Sequence, residues 1–389
     1  MAILFLIVFM DLIGFGLLIP LLPFYVQAVG AGPEVITLVL GLYSVGQLIA
    51  APLWGRLSDT YGRKPVLALT SFGLALSYVM LAYADTLVLL IIARLFGGIM
   101  AGNIAAAQAY VSDITTSANR ARGMGIIGAA IGLGFIFGPA IGGLLGGADT
   151  ATADYATPAF TAAAVTALAA LGVVLFLRES LNPAARASLA SRPRVSLREK
   201  VATTFQRRAL VLLVVASFLA VTAWALFETV YALWANEILN YGPAKIGYIL
   251  TFMGFISVVV QGGAIGPLTR WLGERHLAVI ALVLLIIGYV NLALAEGQTA
   301  MIVACGVLAV GSALFNPSLS SLVSQEAGDY ERGAVLGVYQ GATALSRIIG
   351  PAFSGMIFAD VGTAAPFYVA AALVVPALAM LLMRARSSP

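Results

Sequence analysis

Twelve apolar stretches of about 20 residues constrain this chain more than any other feature of its sequence. Each is long enough to cross a hydrocarbon core of roughly 30 Å as a single helix. Hydrophobic residues make up 61% of the chain and charged residues only 10%, too few to cover the surface of a soluble protein of 389 residues. The sequence therefore predicts an all-α membrane protein. The predicted spans lie near residues 2–26, 36–54, 66–84, 87–111, 121–146, 157–177, 209–235, 245–266, 277–295, 298–322, 333–358 and 365–383.

The longest polar interruption, at about 179–208, separates six spans from six. Pro183 and Pro193 discourage a continuous helix through it. We therefore expect an N-terminal bundle over 1–178, a linker over 179–208 and a C-terminal bundle over 209–389. The linker is strongly basic and carries Arg186, Arg192, Arg194, Arg198, Lys200, Arg207 and Arg208.

Positive charge is distributed unevenly between the two sides of the predicted membrane. Of 21 Lys and Arg residues, eighteen fall in the even-numbered connections or at the C-terminus, and Lys245 alone lies on the other side. The positive-inside rule then places both termini and the linker in the cytoplasm. The net charge of +4 is thus a signal of topology and not of nucleic-acid binding.

The residue inventory excludes several classes of function. With one cysteine, Cys305, and one histidine, His276, the chain has no cluster suited to a transition metal. It contains no G-x-x-x-x-G-K-[ST] motif for binding a nucleotide and no nucleophile–base constellation, so we expect neither an enzyme nor a cofactor. The apolar run from Met1 to about Val26 is too long for the core of a signal peptide and predicts a spanning helix.

The two halves are related by an internal repeat. An offset of about 211 residues brings "GRLSDTYGRK" (55–64) onto "GPLTRWLGER" (266–275) and "YVSD" (110–113) onto "LVSQ" (322–325). The stretch "GPAIGG" (138–143) meets "GPAFSG" (350–355) at an offset of 212. Repeated six-helix halves are typical of transporters that place the substrate near the bilayer midplane.

The first of these stretches resembles the signature loop of the major facilitator superfamily, G-x-L-x-D-x-x-G-R-K, between the second and third spans. The run "GLGFIFGPAIGG" (132–143) resembles the G-x-x-x-G-P-x-x-G-G motif of proton-coupled drug antiporters. "DLIGFGLLIPLLP" (11–23) resembles the start of tetracycline-efflux and related exporters, and "RLFGG" (94–98) resembles the Arg-containing motif of the same group. The resemblance covers the whole chain.

The resemblance implies the major facilitator fold, with two pseudo-symmetric six-helix bundles, and export driven by a proton gradient. It implies a monomer in the bacterial inner (plasma) membrane that moves a small amphipathic substrate. The resemblance also assigns a cytoplasmic latch that breaks when the two halves rock; the alternative, which we favour less, is that the charged segment is only a solvated topology signal. The latch residues are Gly55, Asp59, Gly62, Arg63, Lys64 and Asp113. In the second copy Arg270 and Glu274 invert the charge pair, so we expect a weaker latch there.

A stripe of small residues follows one face of the fifth span. Gly134, Gly138 and Gly142 recur every four residues, Gly143 extends the run, and Pro139 removes one backbone donor. Small residues at this spacing let helix backbones approach closely. We expect tight helix packing that seals a leak path.

Four charged side chains lie inside predicted spans: Asp11, Arg94, Glu228 and Arg347. A charge near the bilayer centre costs at least about 2.5–3.5 kcal/mol, so each is a candidate functional residue. At about 1.5 Å per residue, Asp11 lies about 12 Å deeper than Arg94, which argues against a direct pair. We expect Glu228 to be the main proton carrier, with Asp11 as a second coupling residue. The alternative is that Glu228 forms a structural ion pair with Arg347.

A weakly polar, aromatic cavity with one acid suits amphipathic and cationic compounds. The expected cavity residues are Arg94, Asn103, Gln108, Trp224, Phe227, Tyr231, Asn316 and Arg347. The tetracycline branch places acidic residues in the third and ninth spans, where this chain has Ser77 and Asn291, so tetracycline itself is a doubtful substrate. The alternative function is an exporter or flippase of a native lipid or metabolite, with Arg347 or Arg94 engaging an anionic group.

Overall fold

The computed structural model describes residues 1–181, 204–327 and 332–383, which form helices joined by short connections without any strand. For residues 117, 118, 120, 121 and 332–334 only the backbone is described. The predicted all-α class is confirmed. The basic linker residues Arg186, Arg192, Arg194, Arg198 and Lys200 lie outside the described residues.

The first half of the chain contains eight helices within the described residues. They are α1 (Ala2–Leu18), α2 (Leu22–Ala28), α3 (Pro33–Tyr61), α4 (Arg63–Ala82), α5 (Leu87–Met100), α6 (Asn103–Ile114), α7 (Ser117–Gly146) and α8 (Ala156–Phe176).

The second half contains six α-helices within the described residues. They are α9 (Arg208–Leu239), α10 (Pro243–Val259), α11 (Ile265–Ala293), α12 (Gln298–Glu326), α13 (Arg332–Met356) and α14 (Ala365–Met383). Short π-helical segments, Val260–Ala264 and Ile357–Val361, follow α10 and α13.

These helices supply twelve membrane spans. Ten helical segments are long and apolar enough to cross a bilayer. One of them, Pro243–Ala293, is 51 residues long and breaks at Gly273, so it holds two spans. The pair α1 and α2, bent by 43°, forms one more. The chain is a multi-pass membrane protein with six spans in each half, as the hydropathy predicts.

The segment from Gly55 to Lys64, which resembles a signature loop, is almost entirely helical. Helix α3 continues to Tyr61, well past the predicted end near residue 54, because Gly62 is the first residue that breaks its backbone. Gly62 has φ 108° and ψ 162°, a conformation that only glycine adopts readily, and α4 begins at the next residue. The charged residues therefore occupy a helix end and a helix start.

Two compact units divide the chain. Unit 1 contains Met1–Gly32, the described residues from Leu42 to Leu181, and Tyr241–Thr251. Unit 2 contains Pro33–Gly41, the described residues from Thr204 to Asn240, and those from Phe252 onward. The start of α3 and the start of α10 thus each pack within the unit built mainly from the other half of the chain.

Both units repeat one packing pattern. In unit 1, α1 packs on α7 and α8, and α4 packs on α8, α5 and α6. In unit 2, α9 packs on α13 and α14, and α11 packs on α14 and α12. Gly273 has φ 79° and ψ 155°, so it repeats the backbone break of Gly62 at the offset of 211 residues found in the sequence.

The interior of unit 1 contains an apolar cluster that surrounds the N-terminal two thirds of α1. Leu4, Ile7, Val8 and Leu12 of that helix are buried in it, among side chains from α3, α4, α6, α7 and α8. Asp11 directly precedes Leu12 on this helix and is buried as well.

Candidate functional site

The Asp11 carboxyl group is buried inside unit 1 and held by two side chains from distant helices. Asp11 is 2% exposed to solvent. Oδ2 accepts hydrogen bonds from Ser71 Oγ of α4 at 2.8 Å and from Asn103 Nδ2 of α6 at 2.6 Å. Oδ1 is buried and has no hydrogen-bond partner among the residues that the structure describes. Three spans therefore meet at one carboxyl oxygen.

Arg94 on α5 is also buried, at 7% exposure, and its guanidinium carbon lies 4.8 Å from the centre of the Tyr43 ring. A guanidinium over an aromatic face gains electrostatic attraction from the ring. Tyr78 on α4 is buried as well, and its hydroxyl has no hydrogen-bond partner. These two tyrosines, together with Ser71, are site residues that the sequence reading did not identify.

Glu228 and Arg347 are both exposed and lie in unit 2, on α9 and α13. Within the described part of the chain, neither an ion pair within 4.0 Å nor a hydrogen bond joins Glu228 to Arg347. The structural pair considered as the alternative to a proton-carrying Glu228 is not formed in this conformation.

A cavity of about 320 Å³ opens within unit 2. Of the side chains expected to line a substrate cavity, Trp224, Asn316 and Arg347 do so here. Glu228 is not among the lining residues. The full lining comprises Ala220, Val221, Trp224, Leu285, Ser312, Phe315, Asn316, Ser320, Tyr339, Gln340, Thr343 and Arg347.

Two expected cavity residues lie in the packed interior of unit 2 instead. Phe227 and Tyr231 are buried, and their rings lie 5.3 Å apart. The Tyr231 hydroxyl donates to Met301 Sδ at 3.3 Å, so its polar end is used within the core. Trp234 of the same helix is also buried and meets Phe367 edge to face. Their spacing on α9 reflects packing, which sequence alone does not separate from cavity lining.

The remaining three expected cavity residues lie in unit 1, and one of them is Arg94, described above. Asn103 binds Asp11, as described above, and so serves the buried carboxyl group. Gln108 lies on α6 with an exposed side chain.

The cytoplasmic cluster is organised around Arg63. Its Nη1 lies 2.6 Å from Asp59 Oδ1 and also donates to Ser58 Oγ at 2.6 Å, and its Nε donates to Asp113 Oδ2 at 2.9 Å. One guanidinium thus ties the end of α3 to the end of α6, a geometry that suits the planar fork of arginine.

Glu179, which the sequence reading missed, completes this cluster from beyond α8. Its carboxylate accepts from the backbone N–H groups of Arg63 and Lys64 at 2.9 and 3.2 Å, at the start of α4. An acidic group at a helix N-terminus satisfies free donors and complements the helix dipole. Ser180 Oγ adds a hydrogen bond to Asp113 Oδ2 at 2.9 Å. The available signal was an acidic residue immediately after the sixth apolar span.

The second copy of the motif has, in the same place, a carboxylate bound by uncharged donors. Glu274 Oε1 accepts from Gln325 Nε2 at 3.1 Å and from Ser321 Oγ at 3.3 Å. Gln325 aligns with Asp113 at an offset of 212, and Arg270 forms no ion pair within 4.0 Å in the described chain. The carboxylate has therefore replaced the guanidinium of the first copy, and an amide has replaced its acidic partner.

The glycine stripe of α7 lies against α1. A Cβ atom at Gly138 would stand 2.6 Å from Gly16 Cα, and one at Gly134 or Gly142 would collide with Leu12 or Leu17. Gly143, beside Pro139, instead meets the start of α10, where a Cβ atom would lie 2.8 Å from the Pro243 carbonyl oxygen. The stripe therefore brings two backbones into contact, as its spacing predicts.

Comparison with known proteins agrees with this architecture. A model of the Major Facilitator Superfamily matches residues 4–341 and, in a second match, 213–389. Multidrug resistance protein 2 of Bacillus subtilis is 29% identical over 380 residues, which cover 96% of this chain and 92% of that protein. The class G tetracycline resistance protein of Vibrio anguillarum is 31% identical over 363 residues, covering 92% of this chain and 90% of the relative.

The same architecture is found among solved structures. The crystal structure of the human organic anion transporter MFSD10 (TETRAN) has a TM-score of 0.72 and 24% identity, with 98% of each chain covered. At this level of identity the likeness concerns the fold.

Proposed function

This chain belongs to the major facilitator superfamily, and we propose that it exports amphipathic, cationic drugs by alternating access in exchange for protons. Its relatives include a multidrug resistance protein and a tetracycline resistance protein. We place the transporter in a bacterial inner membrane as a monomer, with both termini in the cytoplasm, in keeping with the distribution of Lys and Arg.

The observation that carries this proposal is an exposed carboxyl group within an apolar helix. Glu228 lies on α9, which has no other charged residue between Arg208 and Glu237. In an apolar setting the neutral acid is favoured, whereas a bound cation favours the carboxylate. A proton and a cationic substrate then compete for Glu228, and this competition is antiport.

Purified protein in liposomes with an imposed pH gradient tests the proposal. Addition of fluorescent cationic drugs should release protons from the wild type, and Glu228→Gln should abolish that response. Glu237→Gln is a matched control because it removes an exposed carboxylate from the end of the same helix. Drug transport by Glu228→Gln that remains undiminished and independent of pH would overturn the assignment of Glu228.

A second candidate function is favoured by the cavity in unit 2. Arg347 lines this cavity together with Trp224, Asn316 and Gln340, whereas Glu228 does not. A guanidinium beside an aromatic ring and two amides suits an amphipathic molecule with an anionic group, such as a lipid or an acidic metabolite.

The binding of anionic and cationic ligands separates the two candidate functions. A fluorescent fatty acid should bind the wild-type protein and lose affinity in Arg347→Gln but less in Arg347→Lys if the cavity takes anions. If the cationic drugs bind and the fatty acid does not, the second candidate is excluded.

A further inference from the structure

One face of α11 is apolar and exposed over a length that matches one leaflet of a membrane. Ile280, Val283 and Ile287 recur on it at helical spacing and are exposed, whereas the opposite face is buried in unit 2. We call these three residues the apolar stripe of α11. His276 lies one turn before Ile280 on the same face and is exposed too. From His276 to Ile287 the helix rises by about 16 Å, close to half of a hydrocarbon core of roughly 30 Å.

The first half of the chain has an equivalent stripe. Leu69, Phe72 and Leu76 of α4 are exposed and precede the three stripe residues of α11 by 211 residues each. Both helices therefore present an apolar face to lipid, so the stripe alone does not distinguish the two halves. The difference lies at the polar end of each stripe.

The polar end of the α11 stripe carries cations and an exposed indole. Arg270 and Trp271 lie before the backbone break of α11, and Arg275 and His276 lie after it. Trp271 is 81% exposed, and neither arginine forms an ion pair within 4.0 Å in the described part of the chain. His276 Nδ1 donates to the Leu272 carbonyl oxygen at 2.8 Å, which holds the ring across the break. Both guanidinium groups are therefore available to an anion from outside the chain.

The charge balance differs between the two copies of the motif. In the first copy three cations stand against three anions: Arg56, Arg63 and Lys64 against Asp59, Asp113 and Glu179. In the second copy two cations stand against one anion: Arg270 and Arg275 against Glu274, whose carboxylate is bound by side chains of α12. The first copy is therefore neutral, whereas the second has an excess of positive charge.

We infer that the polar end and the apolar stripe of α11 together bind an anionic phospholipid. Arg270 and Arg275 hold the phosphate, and an acyl chain lies along the stripe from Ile280 to Ile287. Guanidinium groups bind phosphate oxygens with two parallel hydrogen bonds, and clustered arginines attract anionic lipids. The Trp271 indole lies at headgroup depth, where tryptophan is enriched in membrane proteins.

The charge and the stripe together select the lipid. A headgroup without a cation of its own, such as that of phosphatidylglycerol, leaves the phosphate charge to the two arginines, whereas the ammonium group of phosphatidylcholine is repelled by them. A soluble phosphate would leave the apolar stripe unused. The first copy offers an equivalent stripe, but the partly exposed carboxylate of Asp59 stands where Arg270 stands in the second. The site is therefore specific to unit 2.

Nanodiscs with brominated lipid test this site, because bromine on an acyl chain quenches a tryptophan that it contacts. The full-length protein is placed in phosphatidylcholine nanodiscs with a rising fraction of either brominated phosphatidylglycerol or brominated phosphatidylcholine. The signal of Trp271 is the difference in emission between the wild type and Trp271→Phe, which retains the other three tryptophans. We expect brominated phosphatidylglycerol to quench Trp271 at a several-fold lower fraction than brominated phosphatidylcholine.

Substitutions of the arginines distinguish a built site from general attraction to the membrane surface. Arg270→Gln and Arg275→Gln should each reduce the preference for phosphatidylglycerol about fivefold, the contribution of one arginine near an anionic surface. Arg270→Lys keeps the charge and should retain most of the preference. Arg56→Gln is the matched control, since it removes an exposed cation from the first copy and should leave the preference of Trp271 unchanged.

Native mass spectrometry gives a second readout that does not use tryptophan. The wild type should retain phosphatidylglycerol in preference to phosphatidylcholine, and the double variant Arg270→Gln/Arg275→Gln should lose this preference while Arg56→Gln keeps it. Equal quenching of Trp271 by the two lipids, or a preference that survives the double variant, would overturn the lipid site. Displacement of the brominated lipid by soluble glycerol phosphate would contradict the part of the acyl chain. None of these measurements involves transport, so their outcome is independent of the proposed antiport.

Discussion

At the scale of single residues, Arg63 shows how one side chain organises several helices. Its guanidinium is buried and bonds to Ser58, Asp59 and Asp113, while its backbone N–H bonds to Glu179. A lysine at this position would present a single ammonium group and would lack the planar set of donors with which the guanidinium binds several partners at once. The arrangement explains why the motif needs arginine specifically.

Arg63→Gln should lower the free energy of unfolding by about 2–4 kcal/mol. Breaking a buried pair by removing one partner typically costs about 3–5 kcal/mol, and the partial exposure of Asp59 reduces this. Thermal stability measured by size-exclusion chromatography after heating would detect the change. Arg270→Gln in the second copy is the control, and equal losses in the two variants would contradict the argument.

Asp154 is a charged residue outside the membrane spans, and its hydrogen-bond partner is close to it in the sequence. It lies in the connection between α7 and α8, and its Oδ1 accepts from the Thr157 N–H at 2.9 Å in the first turn of α8. Hydrogen bonding to Thr157 lowers the pKa of this carboxyl below its usual 3.8. The ionised form is therefore the one that stabilises the folded state.

Asp154→Ala should cost about 0.5 kcal/mol at neutral pH, at the low end for a helix cap because the group is exposed. Because the folded pKa is depressed, the stabilisation is present above pH 3.8 and is lost as the pH falls through the lower folded value. The difference in melting temperature between variant and wild type should shrink below pH 3.8. If the difference in melting temperature did not shrink below pH 3.8, the charge of Asp154 would not contribute to the stability of the folded state.

At the scale of helices, packing is decided by where small residues face one another. In unit 1, a Cβ atom at Gly97 of α5 would lie 2.9 Å from Ser77 Oγ of α4. The repeat-related pair in unit 2 is Leu308 of α12 and Gly288 of α11, and a Cβ atom at Gly288 would lie 2.6 Å from Leu308 Cγ. Each contact therefore has a glycine on one of its two helices, α5 in unit 1 and α11 in unit 2.

Gly138→Ala on α7 should lower the free energy of unfolding by about 1–3 kcal/mol, because the added methyl group overlaps Gly16 of α1. Gly128→Ala on the same helix is the matched control, since nothing lies within 4 Å of its Cβ position. That change should be neutral or stabilising by up to about 1 kcal/mol through helix propensity. Heat treatment followed by size-exclusion chromatography compares both, and similar results for the two glycines would refute the role of the stripe.

The glycines of the charged motif should differ in the same way. Gly62→Ala and Gly273→Ala force a side chain into a positive-φ conformation and should each cost about 1–3 kcal/mol. Gly55→Ala lies inside α3 with open space around it and should be tolerated. Melting temperatures of the three variants test this ranking; a Gly55 variant as unstable as the Gly62 variant would show a different requirement.

At the scale of the whole molecule, two units with one packing pattern carry different chemistry. Unit 1 holds the ion pairs of Arg63 and the buried Asp11, whereas unit 2 holds the cavity with Arg347 and the exposed Glu228. The helix contacts that the two units share are made by small and apolar residues, whereas the polar side chains differ between the units.

Gln325→Arg should replace the uncharged donor to Glu274 by a guanidinium, form an ion pair in the second copy and stabilise unit 2 by about 0.5–1 kcal/mol. Cys305 is buried in the same unit and is the single cysteine, so a thiol-reactive dye reports its unfolding. The same substitution in a Glu274→Gln background should lose the gain, and a gain that persists there would rule out the pair.

Much of the fold followed from the sequence. The span count, the helical class and the repeat were predicted because hydropathy and glycine spacing are local properties that the bilayer enforces along the chain. Span ends were less accurate, as at α3, because a helix continues until its backbone is broken and not until its apolar residues end.

The sequence by itself determined which residues cross the membrane and which charged residues had to be explained there. Only the tertiary structure decided what those charges contact. The donors to Asp11 lie 60 and 92 residues away from it, and Glu179 lies 116 residues from Arg63. Such partners are brought together by helix packing, which depends on the shapes of several faces at once, so no local pattern in the chain specifies them.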